Sequence, residues 1–194
     1  MSIPPPELKQ IIHQAQNGDR DAVAQLYQAY AQAIYRYIAH RIPTVVDAED
    51  LTAEVFVKMV EGLSQYRVTD IPFEAWLYRI AAARVADYYR YHTRRPVAEL
   101  SDDIPEQDPD VEDEIVHQQE LGSLQDAIQQ LNDEQQSVLI LRFVERKSHE
   151  EVGRILNKSV SAVKSIQYRA LIELARLLGS EKEIRHYLRG RHDG

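Results

Sequence analysis

The chain predicts an all-α protein: two small helical domains joined by a flexible acidic linker. Three observations carry this. Apolar residues recur at helical spacing on both sides of the middle of the chain, and strand-like alternation is lacking. Residues 96–141 hold thirteen acidic residues and no Lys or Arg. Aromatic residues segregate, with twelve of the fifteen before residue 96. The last two observations divide the chain. Residues 1–95 carry eleven basic and eleven acidic residues, and residues 142–194 carry twelve and seven. The net charge of −8 therefore belongs to the middle, and the C-terminal part is basic.

A chain of 194 residues suffices for one medium domain or two small ones. With no Cys, disulfides and thiolate metal sites are excluded. The seven His are scattered without the paired spacing of a zinc site, so neither metal nor cofactor is expected. No apolar run approaches the ~20 residues of a membrane span. MSIPPPELKQ lacks the basic start and apolar core of a signal peptide, so a cytoplasmic location is expected.

Each element has its own signal. Pro4, Pro5 and Pro6 make a stiff leader. A short helix over 7–17 ends before Gly18, and Asp19 caps the next. Its stripe is Val23, Leu26, Tyr27, Tyr30, Ile34, Tyr37 and Ile38, and Pro43 stops it. Asp47 is expected to cap a third helix. Leu51, Val55, Met59 and Leu63 face inward there, with Phe56 and Val60 beside them; Glu49, Asp50, Glu54, Lys58 and Glu61 face outward. After a loop over 66–72, FEAWLYRIAAARVADYYRYHTRR (73–95) reads as one helix of about five turns. Trp76, Leu77, Ile80, Ala81, Val85 and Tyr88 share its apolar arc, and Arg79, Asp87 and Arg90 lie opposite. Its end crowds Tyr88, Tyr89, Arg90, Tyr91, His92, Arg94 and Arg95 together. Aromatic faces can stack on unpaired bases while guanidinium groups hold phosphates. The same features also suit a core or rim face and a cation-capped helix end.

Residues 96–120 contain three Pro, ten acidic residues and no aromatic. Such a segment cannot bury enough apolar surface to fold alone and reads as a linker. Helices resume near residue 121 with a Leu124, Ile128 and Leu131 stripe. Asn132 with Gln135, and Ser148 with Glu151, are capping boxes; the helix between them carries Val138, Leu139, Leu141 and Arg142. A break over 157–160 follows HEEVGRILN. The last helix, capped by Ser159, buries Val163, Ile166, Ala170, Leu171, Leu174 and Leu178. Ser161, Lys164, Ser165, Tyr168 and Arg169 form its free face. A short helix, a tight break and a second helix with a small, polar and basic free face make a helix-turn-helix. Small residues let the backbone approach a groove, and the cations serve phosphates or base edges.

In order and spacing, both halves resemble the two-domain alternative sigma factors of bacterial RNA polymerase, the extracytoplasmic-function type. DAEDLTAEVFVKM (47–59) resembles the segment that docks on the polymerase β′ clamp helices. Residues 73–95 resemble the family's helix for promoter melting and minus-ten recognition, and 131–178 its minus-thirty-five domain. The resemblance implies a dissociable initiation subunit, not itself an enzyme, with core polymerase (β′ clamp and β flap) and promoter DNA as partners. Family members are often held by an anti-sigma protein. It implies core contacts by Asp47, Glu49, Asp50, Leu51 and Glu54. Minus-ten contacts would fall to Trp76, Arg84, Asp87, Tyr88, Tyr89, Arg90, Arg94 and Arg95, with Trp76 equally suited to packing. Minus-thirty-five contacts would fall to Ser159, Ser161, Lys164, Ser165, Tyr168 and Arg169. The implied domains are 1–95, the linker 96–120, 121–180 and a tail, 181–194. The linker, strand-like in charge, would occupy the polymerase's cationic active-site path. Two positions depart from the family pattern: Ala83 stands where Asn is usual, and Asn157 where Gly is common.

Two rivals compete with that reading. An autonomous helix-turn-helix regulator of duplex operators would leave the aromatic helix and the acidic segment unexplained. A helical scaffold or metal-dependent hydrolase would use the 47–54 carboxylates, yet they lack a converging second set of ligands.

Overall fold

The computed structural model describes residues 4–67, 71–94 and 124–179, with side chains of the second stretch described as far as His92. The described residues are helical and contain no strand. The N-terminal module has α1 (Pro5–Gln16), α2 (Arg20–Ala39), α3 (Val45–Gly62) with a 3₁₀ turn (Leu63–Gln65), and α4 (Phe73–Arg94). The C-terminal module has α5 (124–129), α6 (Asp133–Leu139) with a π-helical continuation (Ile140–Val144), α7 (His149–Leu156) and α8 (Val160–Leu177).

Local signals account for most helix ends. The α1 helix begins two residues earlier than the sequence suggests, with Pro5 and Pro6 inside its first turn. Proline suits that position because the N–H it lacks would be unpaired there anyway. Gly18, at φ +88°, ends the connection, and the Asp19 carboxylate accepts from the Asp21 and Ala22 amides. Both expected capping boxes form. The third helix differs from expectation. Thr44, not Asp47, is its cap: the Thr44 hydroxyl oxygen accepts from the Asp47 amide at 3.1 Å. The helix starts one turn earlier because threonine, on extended backbone, reaches the third amide beyond it.

The N-terminal core packs Leu26, Tyr30, Ile34, Tyr37 and Ile38 of α2 against Val55, Phe56 and Met59 of α3 and Phe73, Leu77, Ala81 and Val85 of α4. Three sequence assignments need correction. Tyr27 is 50% exposed and Val60 is equally exposed; each sits one step off the buried arc of its helix, although Tyr27 still meets Phe56 edge-on at 4.8 Å. Leu178 lies past the end of α8 and is also exposed. In the C-terminal module, Leu131, Leu139 and Ala170 form a second small cluster, with Leu171 and Leu174 against it.

The sequence does not signal how the two modules meet. Val138, Ile140, Leu141, Val152, Ile155, Val163 and Ile166 belong to the same buried cluster as the N-terminal core. Arg79, expected on the solvent side of α4, donates to the Ile155 and Arg154 carbonyls at 3.0 Å each.

Candidate nucleic-acid interface

The α4 helix buries its first half and presents its second. Phe73, Ala75, Leu77, Tyr78, Ala81 and Val85 are buried, which anchors the helix against α2 and α3. Beyond Val85, Tyr88 and Tyr89 are half-buried and Arg90 and Tyr91 exposed. Most polar groups here have internal partners. The Tyr88 hydroxyl donates to Asp47 Oδ2 at 2.9 Å. Burial first, then that bond to Asp47, pushes its pKa up to about 12, so the phenol remains a donor. Tyr89 donates to the Arg41 carbonyl. Asp87 pairs with Arg84 and, at 2.6 Å, with Arg90, leaving the trio with one net positive charge. Trp76 stacks on Tyr66 with ring centroids 4.8 Å apart and planes 27° from parallel. It also closes over Gly62, where a Cβ would sit 3.1 Å from Trp76 Cζ2. Trp76 is thus a half-buried packing residue of the N-terminal module. The Arg94 side chain, Arg95, residues 68–70 of the preceding loop, the acidic linker and the tail lie outside what the structure describes.

On α3, Glu49, Asp50 and Glu54 are exposed as expected. Asp47 is half-buried, and its carboxylate takes the Thr44 hydroxyl at 2.6 Å as well as that of Tyr88. This acid therefore couples α3 to the aromatic end of α4. Leu51 is a correction: it is 8% exposed and serves the core, since its phase matches Val55 and Met59. The exposed face instead holds apolar residues that sequence reasoning missed. Val46, 68% exposed, and Val57 are outward, and spacings of four and seven put them on the same side as Asp50. The signal was available as valines out of phase with the core stripe.

The helix-turn-helix forms as its sequence implies. Asn157 adopts the left-handed conformation, φ 54° and ψ 50°. Lys158 N–H then donates to the Gly153 carbonyl at 2.8 Å. Gly153 was missed by the sequence reading, yet the turn depends on it: a Cβ there would lie 2.7 Å from the Lys158 carbonyl oxygen. Ser159 caps α8 through the Ala162 amide at 3.2 Å and also meets the Ser161 hydroxyl at 3.1 Å. Ser159, Ser161, Lys164, Ser165, Tyr168 and Arg169 are all exposed, with the Arg169 guanidinium steadied on the Ser165 carbonyl. Beneath that face, Val163 and Ile166 are buried with Val152 and Ile155 of α7. Such a helix offers small polar groups and two cations on a rigid base, suited to a groove. Among the described residues, no three His, Asp or Glu side chains are grouped to hold a metal ion, and no helix is long and apolar enough to cross a membrane.

Both modules match known families. Residues 26–95 match Sigma-70 region 2, and residues 127–176 match Sigma-70, region 4. The chain is 34% identical over 174 residues to the ECF RNA polymerase sigma factor BldN of Streptomyces coelicolor, covering 88% of this chain and 66% of BldN. It is 33% identical over 175 residues to the RNA polymerase sigma factor YlaC of Bacillus subtilis, covering 84% of this chain and 96% of YlaC. The solved structure of CnrH in complex with the cytosolic domain of CnrY shares the fold, with a TM-score of 0.65 at 24% identity over 88% of this chain and 96% of that one. The chain belongs to the extracytoplasmic-function RNA polymerase sigma factors. A sigma factor directs RNA polymerase to promoters, and both of the regions matched here are sigma-factor regions.

Proposed function

We propose a division of labour among the modules of this sigma factor. Glu49, Asp50 and Glu54, with Val46 and Val57 between them, present an acidic and apolar face of α3 to the β′ clamp of core polymerase. Tyr88, Tyr89, Arg84, Asp87, Arg90, Arg94 and Arg95 serve the minus-ten region, with Trp76 supporting them from beneath. Ser159, Ser161, Lys164, Ser165, Tyr168 and Arg169 read the minus-thirty-five duplex. The domains are 1–95 and 121–180, with 96–120 as an anionic tether in the polymerase and 181–194 as a tail. An apolar cleft of about 440 Å³, lined by Leu124, Ile128, Leu139, Phe143, Leu171 and Leu174, is the candidate seat for the β flap. The protein is cytoplasmic and not itself an enzyme. An anti-sigma protein is a further partner consistent with this reading.

The observation that carries the reading is the exposed face of α8, basic and small, in a chain whose other module ends in an aromatic and cationic helix. Opening a duplex costs a few kcal/mol per unstacked base, and stacking returns ~1–3 kcal/mol for each base held. Capture can thus favour an open strand without ATP once polymerase supplies the rest. The test is transcription in vitro with purified core polymerase across genomic promoters. Core enzyme plus this chain is expected to start at a defined subset. Failure to join core, or joining without directing any start site, overturns the reading. Duplex binding in the absence of polymerase, at full affinity and by a dimer, would favour an autonomous regulator.

A further inference from the structure

One half-buried side chain of α8, Gln167, ties that helix to both of its neighbours. Gln167 Oε1 accepts from Arg142 Nε at 3.2 Å and from His149 Nε2 at 3.0 Å. An amide oxygen can only accept, so the neutral His149 ring carries its proton on Nε2. The two donors also fix the amide, because its amino group in that place would face N–H groups from both. Arg142 lies in the π-helical continuation of α6, and His149 opens α7. Three elements of the C-terminal module therefore meet at one oxygen. Arg142 also donates through Nη1 to the Lys147 carbonyl, which holds the connection between α6 and α7. In that connection the π turn is followed by Arg146 in the left-handed region, φ 54°. Such backbone is costly and persists where the surroundings hold it, often at functional sites.

Apolar packing alone leaves α8 one freedom. Val163 and Ile166 share a buried cluster with Val152 and Ile155 of α7, and Ala170 clusters with Leu131 and Leu139. These contacts are non-directional. They set how closely α8 lies but only loosely its rotation about its own axis. Hydrogen bonds are directional, and two of them to a group on the flank of the helix fix that rotation. Gln167 stands on this flank, between buried Ile166 and exposed Tyr168. Side-chain atoms stand about 5–6 Å from a helix axis, so a rotation of ~10° moves them by about 1 Å. That shift breaks a hydrogen bond to a base edge, whose length varies by only about 0.5 Å. It changes the attraction between a cation and a phosphate far less. We propose that Gln167 is a positioning residue for sequence readout, anchored by Arg142 and His149. The tie sets the rotation of α8, and with it which base edges Ser161, Lys164, Ser165 and Arg169 can meet. This rests on the minus-thirty-five reading above. Its signature is separable: losing the tie blurs the choice among sequences and leaves sequence-independent binding in place.

The test is selection from a library of DNA duplexes with a randomised stretch, by the full chain joined to purified core polymerase. The parent is expected to enrich a motif. Affinity is then measured for the enriched duplex and for a scrambled one. Gln167→Leu keeps the bulk and loses the acceptor. It should lower the ratio of the two affinities about tenfold, the scale of one base contact. Affinity for the scrambled duplex and its salt slope should stay at the parent values, because the phosphate contacts are kept. His149→Gln keeps a donor near the place of Nε2 and should hold the parent ratio. His149→Ala and His149→Asn should lower it about threefold, the scale of one hydrogen bond. The order of the His149 variants decides the matter should Gln167→Leu fail to fold by circular dichroism. Folded variants that keep the parent ratio overturn the proposal, as does His149→Gln behaving like His149→Ala. So does a loss shared equally by the scrambled duplex, which would make Gln167 a phosphate contact or a part of the fold alone. A parent that enriches no motif overturns the minus-thirty-five reading and the proposal with it. A parent that enriches a motif which the variants read as sharply overturns the proposal alone.

Discussion

The candidate nucleic-acid faces of α4 and α8 are built in opposite ways. On α8, the polar face stands clear of the core: Ser161, Lys164, Ser165, Tyr168 and Arg169 are exposed while Val163, Ile166 and Ala170 beneath them are buried. On α4, the corresponding groups double as structural ties. Tyr88 holds Asp47, Tyr89 holds the Arg41 carbonyl, Asp87 bridges two arginines and Trp76 stacks on Tyr66. A helix that meets intact duplex can present a finished surface. On the proposed reading, α4 meets a separating strand and stores its aromatic groups within the fold, so that use and stability would be coupled there.

The largest effect that would test this contrast is at Trp76. Trp76→Ala should lower the stability of the N-terminal module by about 2–4 kcal/mol, somewhat below the range for fully buried aromatics, read by urea denaturation with circular dichroism. A loss under ~0.5 kcal/mol would make Trp76 a surface residue and break the contrast. The double substitution Lys164→Ala with Arg169→Ala should do the reverse. Stability should stay within ~0.5 kcal/mol, while upstream duplex affinity falls by about 2 kcal/mol or more. The slope of log affinity against log salt should flatten by up to about 1.8. Core-polymerase binding should be intact, and its collapse would misplace the role of the C-terminal module.

Gly153→Ala comes next. The added methyl would meet the Lys158 carbonyl at 2.7 Å, so the turn or α7 must shift, at about 1–3 kcal/mol. A melt of this variant at the parent temperature would show that the turn has slack. The smallest effect is Tyr88→Phe, about 0.5–1.5 kcal/mol for one hydrogen bond. It carries a pH signature with a definite sign. The folded phenol has its pKa raised to about 12 from an ordinary value near 10. Its contribution is therefore complete below about pH 10 and is lost as pH rises through 12. Stability curves of parent and Tyr88→Phe taken between pH 9 and pH 12 should converge at the alkaline end, and parallel curves would disprove the Asp47 tie.

Much of the candidate site is legible in the sequence, because its signals are local. Capping at Asn132, Ser148 and Ser159 and the left-handed Asn157 depend on a few neighbouring residues, and each forms as its residue type implies. The misreadings also have local causes. Asp47 and Thr44 are both good caps, and the choice between them turns on backbone conformation one turn upstream. In sequence Leu51 suits both an inward and a partner-facing role, and its burial settles the first. Gly153 gives a weak signal, one glycine within a helix, whose importance shows only when the Lys158 carbonyl is seen above it.

By itself, the sequence determined the helices, most of their capped ends and the basic face of the last helix. All of these follow from periodicity, capping chemistry and charge within reach of a few turns. Only tertiary structure decided that Arg36, Arg41 and Arg79 face the second module, and that Glu145 lies buried against Arg36 and Tyr78. Residues about a hundred positions apart along the chain satisfy one another there. A buried charge names no partner in one dimension, because the energy that permits its burial depends on which surface arrives in space.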